Sequence, residues 1–318
     1  MVKYYKEIKD KNGFIYSIDN TVVDYFIKGE NLERITKELV DIRKKYDPNG
    51  WERLNIGACS KYSFFQNVVH IGAIHISYGK YTSFDKVSRT WIMLPMLRLE
   101  VNVNKHYEEQ AFKEILSWVH RNCTDGILKK YDLAIDIPYS IDRVQILDSR
   151  KEPGLHKGTI YRGQRSHHGF CKIYDKAREQ KIDGQLTRIE HTLEPRKPLS
   201  LERIGIIQSV DKSTDTSNLD NLNSCIVSLC LLVKSCGVDY EPYIAKLNYR
   251  RKKTLQPYLY GSSIDFEYDE EIIEKLLVNI NELFDVNKEK NDCESKGSIY
   301  IDESGFAQID DDEELPFE

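Results

Sequence analysis

Between Tyr131 and Pro138 apolar and acidic residues alternate, so that on an extended strand Asp132, Ala134 and Asp136 share one face while Leu133, Ile135 and Ile137 share the other. A helix would scatter these residues around its circumference, whereas a strand sorts them into a wet face and a core face. Two more segments repeat the pattern. Leu97 to Asn104 places Arg98, Glu100, Asn102 and Asn104 together, and Thr187 to Leu193 does the same with Arg188, Glu190 and Thr192. A chain holding several such segments must build a sheet with one side on a core and the other in water.

Further runs rich in β-branched and aromatic residues, at 67–78, 90–103, 130–138, 158–174 and 186–193, read as strands of the same sheet. Leu32, Ile35, Leu39 and Ile42 recur at helical spacing within 30–46, as do Phe112, Ile115, Leu116 and Val119 within 106–120. The expected architecture is α+β, a largely antiparallel sheet with helices on one face. After Pro198 the pattern turns helical, with an apolar helix at 220–236, a basic amphipathic segment at 240–254 and an amphipathic helix at 269–284. From Val286 onward periodicity is lost and charge rises, which reads as a disordered acidic tail. The expected division is a catalytic region over 1–200, a helical C-terminal region over 201–285 and a tail over 286–318.

No apolar run approaches the roughly 18 residues of a membrane helix, and the first residues lead into charge, so a cytoplasmic protein without a membrane partner is expected. Seven cysteines, odd in number and lacking a Cys-x-x-Cys, point to reduced core thiols. The formal charge of -5 argues at first against a polyanion ligand, but residues 301–318 hold eight acids and no Lys or Arg. Without them 43 acids face 46 bases, and the body is mildly basic. From Arg150 to Lys197 twelve Lys or Arg stand against six acids, with His156, His167, His168 and His191 among them. That band is where a polyanion would be held.

The polar faces of three strands supply Asp132, Asp136, Glu190 and Glu100, hard oxygen ligands of the kind that take Mg²⁺ or Mn²⁺. The alternative is an ordinary wet sheet face. Between two of these strands lies the segment Thr159 to Glu179, two strands around a Gly/Ser/His turn, with Tyr161, Arg165, Lys172, Tyr174 and Lys176 as its reactive side chains. A tyrosine with a pKa near 10 is about one part in a thousand ionised at neutral pH, and nearby cations raise that share. His167 and His168 are ligand or proton-donor candidates, or simply turn residues facing solvent.

These residues resemble a known family. Asp132-Leu133-Ala134-Ile135-Asp136, then Thr159-Ile160-Tyr161-Arg162-Gly163-Gln164-Arg165-Ser166, then Ile173-Tyr174-Asp175-Lys176 with Glu179, then Thr187-Arg188-Ile189-Glu190, look like the ordered motifs of the replication initiation factor family called Rep trans. The similarity covers roughly residues 90 to 195. It departs at Gly163-Gln164-Arg165, where the family commonly has Gly-Ser-Arg, and at the His167-His168 pair. The family comprises rolling-circle initiators of small plasmids and related relaxases of conjugative elements. The resemblance implies a DNA-nicking endonuclease and strand transferase, in which a tyrosine becomes joined to the 5' phosphate at an origin with a divalent cation, Mg²⁺ or Mn²⁺, bound by acids. Position by position it implies Tyr161 as nucleophile with Tyr174 as rival, and Asp132, Asp136, Glu190 and Glu100 as metal ligands. Arg165, Lys172, Lys176, Arg162 and Arg188 would then contact DNA. A homodimer and a host helicase or other replication protein are the implied partners. A non-catalytic origin-binding protein remains the alternative from another class.

Two further segments carry expectations. Lys246 to Lys253 holds five bases in eight residues, with Arg250, Arg251, Lys252 and Lys253 placed to touch origin DNA. Asp310 to Glu318 resembles the acidic tip of bacterial single-stranded DNA-binding proteins, although Glu318 follows the Phe that ends that signal; a solubilising tail is the plainer reading.

Overall fold

A computed structural model describes residues 4–29, 31–54, 67–85, 90–124, 126–147, 154–207, 263–286, 300–301 and 307–308. The chain opens with β1 (Ile8–Lys9), β2 (Ile15–Phe26) and α1 (Leu32–Tyr46), followed by β3 (Glu52–Leu54), β4 (Asn67–Ile71), β5 (Ile74–Asp85) and β6 (Thr90–Asn102). Then come α2 (Val103–His106), α3 (Gln110–Asn122), β7 (Ile127–Ile137), β8 (Val144–Ile146), β9 (Gly154–His156), β10 (Thr159–Arg162), β11 (Phe170–Asp175), α4 (Lys176–Gln180) and β12 (Thr187–Leu193). The last described elements are β13 (Ile204–Ile207), β14 (Ser263–Asp265), α5 (Glu270–Leu283), β15 (Tyr300–Ile301) and β16 (Ala307–Gln308).

Eleven of the strands form one sheet in the order β3-β4-β5-β6-β2-β7-β12-β11-β10-β9, with β1 also paired to β2. Every pairing within it is antiparallel. The fold is α+β, as the alternation predicts. Leu97, Leu99 and Val101 of β6, Leu133, Ile135 and Ile137 of β7, and Ile189, His191 and Leu193 of β12 are buried on one face. Against that face α1 sets Ile35 and Leu39, α3 sets Phe112, Ile115 and Val119, and α5 sets Ile273, Leu276 and Ile280.

The helices start where their caps allow. Asn31 accepts from the Arg34 amide to open α1, and Asp269 accepts from the Ile272 amide to open α5. Arg43, Lys44 and Lys45 close α1, where cations complement the helix dipole. Trp118 of α3 donates to Glu38 of α1 at 2.7 Å, which ties the two helices together.

Of the strands that sequence alternation misses, the long central one is β2, which lies between β6 and β7; the short β1, β3, β8, β9, β13 and β14 also fall outside the expected segments. Tyr16 and Ile18 point into the core, then the register slips between Ile18 and Thr21, and Thr21, Val23 and Tyr25 resume on the core side. A bulge shifts the period of two by one residue, so the strand reads as two unrelated fragments.

The C-terminal region is not a separate packing unit among the described residues. Ile206 of β13 pairs with Val144 of β8 as well as with Ile264 of β14. The Tyr16 hydroxyl accepts from the Asp269 amide at 3.1 Å, and the Tyr25 hydroxyl donates to the Phe284 carbonyl at 3.0 Å, so β2 holds both ends of α5. The expected division after residue 200 therefore does not coincide with a break in the core. The expected helix at 269–284 is present as α5, while the expected helices at 220–236 and 240–254 lie outside the described residues. Of the expected acidic tail, the described part is Val286 and the short antiparallel pair of β15 with β16. No helix among the described residues is long and apolar enough to cross a membrane.

Candidate active site

Residues directly opposite each other on antiparallel strands project from the same face. On the face away from the helices, Arg188 of β12 stands between Asp136 of β7 and Tyr174 of β11. One step along, Glu190 stands between Ala134 and Lys172, and a further step on, Thr192 stands between Asp132 and Phe170. Tyr161 of β10 lies opposite Lys172 and joins the same face. The three polar strand faces anticipated from sequence are thus one continuous surface.

At its centre the Tyr174 hydroxyl donates to Glu190 Oε1 at 2.5 Å, and the Lys172 ammonium meets the other oxygen of that carboxylate at 2.6 Å. Lys172 Nζ also sits 4.6 Å from the centroid of the Tyr174 ring, and Lys176 Nζ lies 5.7 Å from it while pairing with Glu179 at 2.8 Å. Burial first, and then the neighbouring Glu190 charge, hold the Tyr174 phenol well above its ordinary pKa, so the resting group is protonated.

Arg188 is bound on both sides. Its guanidinium takes both oxygens of Asp136, at 2.5 and 2.6 Å, and its third nitrogen reaches Asp19 at 2.6 Å. Asp19 comes from the β2 bulge, and its other oxygen accepts from Asn104 at 2.8 Å. Asp132 has no cation in direct contact among the described pairs: the Thr192 hydroxyl donates to it at 2.8 Å. Burial pushes its carboxyl up to about 6; the Thr192 hydrogen bond opposes that, while the charges of Glu190 and Asp19 add to it.

Across the sheet, Glu100 belongs to a second group on the same face. His75 Nδ1 lies 3.8 Å from it, and His75 holds its carboxyl below the usual range. Beside it Arg98 grips both oxygens of Asp24, at 2.7 and 2.9 Å.

No family model matches this sequence, and no curated protein matches it. Among solved structures, a rolling circle replication initiator protein from Geobacillus stearothermophilus is similar over 57% of this chain and 75% of that chain, at 15% identity and a TM-score of 0.32.

The expected Mg²⁺ or Mn²⁺ ligand set is not gathered in this arrangement. Among the described residues no three His, Cys, Asp or Glu side chains surround a common point. Both oxygens of Asp136 are taken by Arg188, those of Glu190 by Tyr174 and Lys172, and Glu100 stands with His75.

The expected DNA-contacting cations divide. Lys172 and Lys176 stand at the tyrosine, but Arg162 projects from the opposite face, with Cys171 opposite it and Glu202 3.4 Å from its side chain. Arg188 is buried between its two acids and has no exposed edge for phosphate. His191 is fully buried on the core face, its pKa lowered to about 3 by that burial, so it leaves the basic band altogether. Arg165 is exposed in the turn after β10, and Lys130 of β7 holds that turn by donating to the Ser166 carbonyl at 2.7 Å. In the same turn His168 is a clamp, accepting from the Glu194 amide and bonding the Pro198 carbonyl, both at 3.1 Å. Arg250, Arg251, Lys252 and Lys253 lie outside the described residues.

Asp19 is the site residue that sequence reasoning passes over. Its only signal is an Asp-Asn pair interrupting a β-branched run, which reads as a turn until the bulge is seen.

Proposed function

We propose that the chain is a replication initiator of the rolling-circle kind, a DNA-nicking endonuclease and strand transferase whose nucleophile is Tyr174. The observation that carries this reading is the Tyr174 hydroxyl bonded to Glu190, with Lys172 bound to the same carboxylate and placed over the phenol ring. A weak nucleophile needs a base within hydrogen-bond reach and compensation for the charge it develops, and Tyr174 has both. Tyr161, the sequence-based preference, instead stacks its ring on Phe170 at 6.2 Å. The order of motifs that resembles the Rep trans family supplies the substrate class, an origin phosphodiester.

In the proposed step the Tyr174 oxygen bonds to phosphorus as its proton passes to Glu190, and the bond from phosphorus to the 3' oxygen breaks. The products are a 5' phosphotyrosyl link and a 3' hydroxyl. Concerted transfer avoids a free phenolate, which burial here disfavours. Lys172 and Lys176 balance the charge gathering on the phosphate, and Asp132, with its carboxyl raised to about 6, is placed on the same face to return a proton to the leaving oxygen. Dimerisation, a host replication partner and a divalent cation belong to the same reading. A relaxase acting on a transfer origin would use the same chemistry.

The test is incubation of the full chain with supercoiled plasmid carrying its origin, in Mg²⁺, in Mn²⁺ and in EDTA, scoring nicked circles and detergent-resistant protein-DNA adducts. Tyr174→Phe should abolish the adduct and Tyr161→Phe should keep it. Glu190→Gln should slow nicking by roughly a hundredfold or more, the usual loss for a general base. An adduct formed by Tyr174→Phe but not by Tyr161→Phe would move the nucleophile to Tyr161. A folded parent that binds the origin without nicking in any of the three conditions would favour the origin-binding alternative.

A further inference from the structure

At the β3–β4–β5 side of the same sheet face three aromatic rings stand in a row. His70 of β4 stacks on His75 of β5 with centroids 4.3 Å apart and planes 15° from parallel, and the Trp51 indole lies 5.0 Å from His70. Trp51 is 57% exposed.

This row is built into the fold. The His70 amide donates to the Trp51 carbonyl at 3.0 Å. Arg43, buried beneath the preceding loop, donates to the Gly50 carbonyl at 2.9 Å and pairs with Glu52 at the same distance. Gly50 has no room for a side chain: a Cβ there would fall 2.7 Å from the Asp47 carboxylate and 2.9 Å from the His70 carbonyl. His75 is held in turn, with Glu100 at 3.8 Å on one ring nitrogen and the Ser77 hydroxyl at 3.3 Å from the other. Burial and the neighbouring His75 both lower the His70 pKa, which favours the neutral ring, while Glu100 opposes them. The exposed Trp51 indole, tilted 59° from the His70 ring, offers a base one flat face to stack on and a second ring to meet at an angle.

We infer that Trp51 and His70 form a stacking platform for an unpaired nucleobase of single-stranded DNA bound across this sheet face. Three features of this face favour that occupant. Flat rings accept any base face, whereas a paired base in a duplex offers none. His75 lies opposite Glu100, Glu100 opposite Val22, and Val22 opposite Lys130, so the platform shares the face of Tyr174 and Glu190. Arg98 and Lys130 project from strands between the two places, and both bear electrostatically on Glu100. From β4, which carries His70, to β11 is six strand spacings of ~4.8 Å, roughly 29 Å, a distance several nucleotides can cover. The inference rests on reading the Tyr174 face as a DNA-cutting site, and it adds that the substrate is melted or single-stranded on that side.

The test uses the full chain and a fluorescent single-stranded oligonucleotide, with affinity read by anisotropy at fixed salt. Trp51→Ala and His70→Ala should each weaken binding by roughly five- to a hundredfold, the loss of one base stack, while Trp51→Phe should stay near the parent. Tyr174→Phe should bind as the parent does while forming no adduct, so failure of the platform and failure of the nucleophile give different results. Photocrosslinking of the unaltered chain to iodouracil-containing oligonucleotides provides a readout that needs no variant; mass spectrometry should place the link at Trp51 or His70. Parent-like affinity in Trp51→Ala, or crosslinks confined to other residues, would overturn the inference.

Discussion

At the scale of single residues, Asp132 and His191 sit on opposite faces of neighbouring strands, and burial displaces both titrations. Asp132 has its pKa raised to about 6 against an ordinary value of 3.8. The folded chain binds that proton more tightly than the unfolded one, so the contribution to stability is full below about pH 4 and is lost as pH rises through 6. Asp132→Asn should accordingly stabilise the fold at pH 8 by about 1–3 kcal/mol and leave it nearly unchanged at pH 4, measured by urea unfolding at the two pH values. An equal gain at both would show that the carboxyl titrates normally. His191 works in the other sense. With its pKa lowered to about 3 from 6.5, the unfolded chain takes up a proton that the folded chain refuses, and stability falls as pH drops below 6.5. The Tyr268 hydroxyl donates to the Glu202 carbonyl at 2.7 Å, so His191 Nε2, at 3.1 Å, must be the donor to Tyr268, and the buried Nδ1 carries no proton. His191→Leu should flatten the acid side of the stability profile, read as a smaller loss of melting temperature between pH 7 and pH 5. Alternation in the sequence was enough to place Asp132, Asp136, Arg188 and Glu190 on one face. It could not reveal that Arg188 is neutralised by two acids or that His191 faces the core, because partners across strands depend on register.

At the scale of elements, register is what alternation leaves open. Strands β11 and β12, and β7 from Tyr131 onward, keep a period of two and are legible, whereas β2 hides behind its bulge although it lies between β6 and β7. The same bulge brings Asp19 to Arg188, so one irregularity conceals both a strand and a site residue. A second joint lies where β7 begins. The Gly126 amide donates to the Asp285 carbonyl at 2.8 Å, tying the end of α5 to the start of β7. A Cβ on Gly126 would meet the Tyr25 ring at 2.9 Å, the Phe284 carbonyl at 3.0 Å and the Val23 side chain at 3.0 Å. Two of these neighbours belong to β2 and the third is backbone, so relief requires the helix end to move. Gly126→Ala should cost about 1–3 kcal/mol in urea unfolding, the usual range for overpacking, while leaving adduct formation at the far face intact.

At the scale of the whole molecule, composition predicted an ordinary globular chain with a basic body, and the pattern change after Pro198 suggested a second unit. Packing binds the two parts. Phe266, Ile272, Ile273, Leu276, Ile280, Leu283 and Phe284 are all buried, and all belong to the core that β2, β6 and β7 face. Helical periodicity at 269–284 announced an amphipathic helix, but periodicity names no partner, and the sheet that receives α5 was assembled far earlier in the chain. A chain truncated after residue 200 would expose the Tyr16, Tyr25 and Phe112 surfaces that α5 and its flanks cover. Each buried apolar side chain of this size contributes about 1.5–3 kcal/mol, so seven of them contribute roughly 10–21 kcal/mol, as much as the whole 5–15 kcal/mol by which a domain is ordinarily stable. The 1–200 fragment should therefore lack a cooperative thermal transition and bind a hydrophobic dye, even though it retains Tyr174, Glu190 and Lys172. If that fragment melts cooperatively and still forms the tyrosyl adduct, the C-terminal residues are dispensable to the core, and the division after residue 200 is one of folding as well as of function.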